Sequence, residues 1–171
     1  MGREVLVSAC LLGRNCRFDG KSRLNKSLIK FLKKNGFIPL GVCPEESGGL
    51  KGKRGPFEFK GKAKQILEKK GEVKDPQGRV FTSYFLKGAY KVLALAKKKK
   101  IEIAILKSRS PSCSPDYIYD GTFKKVIKKG LGVSAYLLKK NKIKIFSESN
   151  YKLIKSESRS SKKGTKRCSR H

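Results

Sequence analysis

The chain has 171 residues, an apolar fraction of 37%, and 43 Lys and Arg against 13 Asp and Glu, a formal charge of +30. This length holds one domain with a substantial core, and no run approaches the roughly 20 apolar residues of a membrane span. Residues 2–4 lead into too few apolar positions for a secretory leader, so the expectation is a cytoplasmic protein whose five cysteines stay reduced.

Val5–Ser8 reads as a short buried strand, followed by the turn-forming stretch VSACLLGRNC with Cys10 and Cys16. Leu24–Asn35 carries Leu24, Leu28, Ile29, Phe31 and Leu32 as a helical stripe stopped by Gly36. Phe37–Val42 is a second strand ending at Cys43, and Glu45–Gly61, rich in Gly and Pro, reads as a long loop. Residues 57–80 are expected to be a strand-rich insertion turning at Asp75-Pro76-Gln77-Gly78. Thr82 is a good N-cap for a helix over Ser83–Lys99, with Phe85, Ala89, Val92, Leu93 and Ala96 on one face. Ile101–Leu106 is an apolar strand leading to Cys113, Leu131–Lys140 a helix, and Ile143–Phe146 a last strand. The alternation predicts a single α/β domain over residues 1–150, with a mostly parallel sheet flanked by helices. Residues 151–171, basic and rich in Ser, Gly and Thr, are expected to be a disordered tail.

Cys10, Cys43 and Cys113 each follow a predicted strand by a few residues. In a parallel sheet the loops after the strands' carboxyl ends converge on one crevice, so three strands deliver three thiols to the same edge. Core filling is the bland alternative, because free cysteine is often buried. Structural zinc on Cys10, Cys16, Cys43 and Cys113 is a second, although the spacing lacks paired C-x-x-C knuckles. A thiolate nucleophile would need a base, and the only histidine is terminal His171. An iron–sulfur cluster fits thiols scattered over separate loops better, and three ligands would leave one iron open as a Lewis acid.

The motifs VSACLLGRNCRFDGKSRLN, VCPEESGGL, FLKGA, ILKSRSPSC, IYDGTF and GVSAYLLKKNKIKIFSE follow one another in the chain. In this the sequence resembles the domain-of-unknown-function 523 family over about residues 3–150. The resemblance implies a Rossmann-type domain that holds a 4Fe-4S cluster on three cysteines and desulfurises thiouracil or thiouridine in tRNA. It implies Cys10, Cys43 and Cys113 as cluster ligands, with Cys16 in the site wall and Cys168 outside the site.

Glu45, two residues past Cys43, is expected to handle the proton of an attacking water in an apolar loop that raises its pKa. Its alternative is a salt bridge or helix cap. Ser110 and Ser112, flanking Pro111, are expected to orient the base ring or relay a proton, or simply to bond within the turn. Phe18-Asp19-Gly20 and Tyr119-Asp120-Gly121 read as turns, Gly48 and Gly49 as points of backbone approach to substrate, and Arg54 as a phosphate contact. Lys53, Gly55 and Ser114 depart from the family pattern and bear on substrate detail. The charge predicts RNA contact through a basic surface, although Lys enrichment alone could produce it. No membrane contact and no obligate protein partner are expected. Two function classes stand: a cluster-dependent thiouracil or thiouridine desulfurase, and a non-catalytic iron–sulfur or zinc RNA-binding protein.

Overall fold

The computed structural model describes residues 2–154. Its elements begin with β1 (Arg3–Ser8), α1 (Lys26–Lys34), β2 (Phe37–Val42), α2 (Pro44–Gly48), β3 (Glu58–Phe59), α3 (Ala63–Leu67) and β4 (Val73–Lys74). There follow α4 (Thr82–Lys98), β5 (Ile103–Leu106), β6 (Tyr117–Tyr119), β7 (Ile127–Lys129), α5 (Val133–Lys140) and β8 (Lys144–Ser147). The central sheet is parallel throughout, in the order β2-β1-β5-β8, with Leu6 of β1 opposite Leu40 on one side and Ala104 on the other.

Alternation along β1 and β5 sorts the core into two layers, as the two-residue period of a strand requires. Leu6, Ala104 and Leu106 pack with Phe85, Ala89, Val92 and Ala96 of α4 and with Ala135 and Leu138 of α5. Val5, Val7, Ile103 and Ile105 face the other way, against Leu28 and Leu32 of α1 and against Tyr151 and Ile154. Both faces of the sheet are covered, which is why its two central strands read as unbroken apolar runs. No helix among the described residues is long and apolar enough to cross a membrane.

Several local expectations are corrected. The first helix starts at Lys26, because the Asn25 side chain accepts the Leu28 N–H at 2.9 Å as an N-cap, and Leu24 stays 48% exposed outside it. Within the expected loop at 45–61, Pro44 at the first helical position starts the short α2 and Glu58–Phe59 forms β3. The insertion at 57–80 is mixed rather than strand-rich: β3 and β4 pair antiparallel across α3. Its turn at Asp75–Gly78 forms as expected, with the Asp75 carboxylate accepting the N–H groups of Gln77 and Arg79. Thr82 is the first residue of α4 rather than its cap, since its hydroxyl is taken by the Val73 N–H at 3.0 Å. The β6–β7 hairpin was not expected. A 3-10 turn at Tyr151–Leu153 carries Tyr151 into the core, and Ile154 follows it. The expected disorder of the remaining tail lies outside the described residues, as do Cys168 and His171.

Candidate active site and thiol cluster

A cavity of about 1330 Å³ lies at the carboxyl ends of β1, β2 and β5, and Cys10, Cys16, Cys43, Cys113, Glu45, Ser110 and Ser112 all line it. Cys10 sits in a 3-10 turn directly after β1, a turn closed by Gly13 at φ +98°, where a side chain would be strained. Cys43 directly follows β2 as the N-cap of α2. Cys113 lies in the loop after β5. Cys10, Cys16 and Cys113 are buried and Cys43 half-buried, and none is in a disulfide.

Two close contacts place α2. A Cβ on Gly48 would lie 2.0 Å from the Tyr84 carbonyl oxygen, and one on Gly88 of α4 would lie 1.9 Å from that of Pro44. These glycines let α2 and α4 touch backbone to backbone, which sets where Cys43 and Glu45 point. Gly48 thus serves helix packing. The Cys113 loop is fixed from behind by α5, whose first N–H groups are spent on it. Val133 N donates to Pro111 O and Ser134 N to Ser112 O, both at 2.9 Å. Gly132 permits this approach, since a Cβ there would meet Ser112 O at 2.6 Å. Within the loop, Ser110 Oγ accepts from Cys113 N at 3.0 Å. Ser108 Oγ donates to both Asp116 oxygens at 2.7 and 2.8 Å.

Glu45 is 8% exposed and its surroundings are polar, not the apolar loop expected. Arg54 donates to its Oε2 from Nε at 2.9 Å and from Nη2 at 2.6 Å. Ser112 Oγ donates to Oε1 at 3.1 Å and stands 3.2 Å from Ser110 Oγ. The result is a chain Arg54–Glu45–Ser112–Ser110 along the cavity wall. Arg54 Nη2 also donates to Cys16 O at 3.1 Å, tying the first cysteine loop to α2. The guanidinium expected to meet a phosphate is thus held by Glu45. Sequence reasoning missed this pairing because nothing local joins residues nine apart across a Gly-containing loop.

The thiols are close enough to perturb one another. Contact with the Cys10 thiol, together with burial, pushes Cys16 up to about 11, although its contact with Cys43 acts the other way. Contact with Cys16 and burial push Cys43 up further. Burial and then the Cys43 charge push Cys113 up to about 12. Among the described residues no group of three or more His, Cys, Asp and Glu side chains converges tightly enough for one metal ion. A structural zinc usually draws its thiolates from paired C-x-x-C knuckles, whereas these cysteines come singly or widely spaced from three separate loops. A multi-iron cluster takes each thiolate on a different iron, so soft donors on separated loops around a roomy cavity suit it.

The relatives fit this donor set. Residues 5–150 match the family described as 2-thiouracil desulfurase. The Bacillus subtilis (strain 168) protein YbbK is 34% identical over 145 residues, 84% of this chain and 95% of its own length. The solved structure of the 4Fe-4S-dependent thiouracil desulfidase TudS matches with a TM-score of 0.80 at 35% identity, over 91% of this chain and 98% of that one. With a matching fold and a match that spans every cysteine-bearing loop of the cavity, the chain belongs to the 2-thiouracil desulfurase family.

Proposed function

We propose that the protein removes sulfur from a thiolated uracil, either free 2-thiouracil or 4-thiouracil or a thiouridine in tRNA. The reaction is a non-redox hydrolysis in which C=S and water give C=O and hydrogen sulfide. A 4Fe-4S cluster is the cofactor, held by Cys10, Cys43 and Cys113, with Cys16 beside it in the wall. The observation that carries this reading is the gathering of thiols from three strand ends on one cavity beside the Arg54–Glu45–Ser112 chain. The likeness to TudS, a 4Fe-4S-dependent thiouracil desulfidase, supports it.

When bound through three thiolates, the cluster offers one iron without a protein ligand as a soft Lewis acid for the substrate's sulfur. The protein's own groups manage water and protons. Arg54 occupies Glu45 Oε2 and fixes the carboxylate plane, so Oε1 remains the acceptor for Ser112 and for the proton of an attacking water. Ser112, in contact with both Glu45 and Ser110, can pass that proton towards the ring or the departing sulfur. Glu45 and Ser112 are both buried, which limits the competition of bulk water for these proton transfers.

The test is sulfide release by protein purified without oxygen, offered 2-thiouracil, 4-thiouridine and thiolated tRNA. Brown protein with broad absorbance near ~400 nm and stoichiometric sulfide release is expected. Iron-loaded protein that frees no sulfide from any of the three would sink the reading and leave a non-catalytic binder.

A further inference from the structure

The β6–β7 hairpin lines the cavity with Tyr117, Tyr119, Phe123 and Lys125. Its connecting segment is held in an unusual shape. Phe123 has φ +59°, in the left-handed region that an aromatic residue seldom adopts. Glu58 of β3, only 8% exposed, enforces it, because its Oε2 accepts the N–H groups of both Gly121 and Phe123 at 3.0 Å. Gly121, at φ +93°, lies so close to β3 that a Cβ would meet Lys60 N at 2.7 Å. Lys128 Nζ adds a second tether, donating to Gly61 O at 2.9 Å.

A buried carboxylate and a strained backbone are costly features, and they persist where the surrounding structure over-determines them. Their product is the placement of the Phe123 ring, which belongs to neither core cluster and has no aromatic partner among the described residues. Phe123 lines the same cavity as the thiols.

We infer that Phe123 is the stacking platform for the pyrimidine ring of the thiolated substrate and that Glu58 is its positioning residue. The inference rests on the desulfurase reading for the identity of the ring. Stacking on Phe123 holds the flat, uncharged ring by its face, and so frees its C=S edge for the thiol end and Glu45. Such an interaction is shared by ground and transition states, so its loss raises KM and leaves kcat nearly unchanged.

The experiment uses full-length, iron-loaded protein and measures KM and kcat for 4-thiouridine, its Kd by equilibrium dialysis, and Tm. Phe123→Leu should raise KM and Kd by about 5- to 100-fold, the range of a lost aromatic–base stack. Phe123→Tyr should stay within about 2-fold of wild type. Phe123→Gly should weaken binding as Leu does but without a fall in Tm, because glycine accepts the left-handed backbone freely. Glu58→Gln should raise KM through a loosened turn, and Phe123→Gly combined with it should add nothing further. Unchanged KM and Kd in both the Leu and Gly variants would overturn the inference, as would a Tyr variant as impaired as Leu. Wild-type protein that releases no sulfide refutes the desulfurase reading alone, and a ring-dependent Kd would still uphold the role of Phe123.

Discussion

Replacing Gly88 by alanine adds one methyl group on α4, at a residue that takes no part in the chemistry, and should nonetheless cripple the site. The new Cβ would fall 1.9 Å from Pro44 O and 2.8 Å from Pro44 C, and ordinary contact begins at 3.4 Å. The start of α2 must therefore retreat by about 1.5 Å, and it carries Cys43 on one side of Pro44 and Glu45 on the other. Overpacking of this kind costs about 1–3 kcal/mol, and a clash of backbone on backbone belongs at the top of that range. Alanine returns about 1 kcal/mol through its better helix propensity. The net loss of about 2 kcal/mol should lower Tm by roughly 4–8 °C for a chain of this size. A displacement of an ångström or more at Glu45 should cut sulfide release by ~10²-fold. The assay pairs thermal melting with iron content and sulfide release, with Lys91→Ala on the exposed face of α4 as a control expected to change little. Gly88→Ala protein that melts within 1 °C of wild type and turns over normally would refute the reasoning, because α2 would then yield without consequence.

Cys10→Ala, Cys43→Ala and Cys113→Ala should each lose the ~400 nm absorbance and all sulfide release, while Cys16→Ala should retain part of its iron; complete iron loss in Cys16→Ala would favour four-cysteine ligation. Glu45→Gln keeps the size of the side chain but loses its charge against Arg54 and its proton-accepting role, so kcat should fall by ~10²-fold or more with the cluster spectrum intact, and a wild-type rate would return Glu45 to a structural role. Arg17 holds Asp19 down to about 2, from an ordinary 3.8, so this pair stabilises the fold fully above pH 3.8 and ceases to as pH falls through about 2. Asp19→Asn should therefore lower Tm at pH 7, by no more than about 2–4 °C for a largely solvated pair, with the difference vanishing near pH 2 in melting scans. If tRNA is the substrate, turnover on tRNA should weaken steeply with salt while turnover on a free thiolated base barely responds; equal, weak responses would make the +30 charge compositional.

Much of the framework can be read without coordinates. The apolar runs of β1 and β5 stand out because strands buried on both faces need no polar alternation, and the order of β1, β2, β5 and β8 with the intervening helices implies parallel pairing. Once the strands are parallel, the loops after them share an edge, so the gathering of Cys10, Cys43 and Cys113 follows from chain order alone. Glu45 came with Cys43, two residues away. What only tertiary structure decided were relations between residues far apart in the chain and unmarked by local pattern. Arg54 reaches Glu45 and Cys16 O through a long side chain, and no periodicity encodes that reach. Gly48, Gly88 and Gly132 look like ordinary loop or helix glycines until a neighbouring backbone is seen where their Cβ would be. The left-handed turn at Phe123 depends on Glu58, distant in sequence, whose carboxylate outweighs the intrinsic preference of an aromatic residue. Local sequence determines elements because hydrogen bonding and burial repeat with a short period. The site is set by single long-range contacts, which have no period to read.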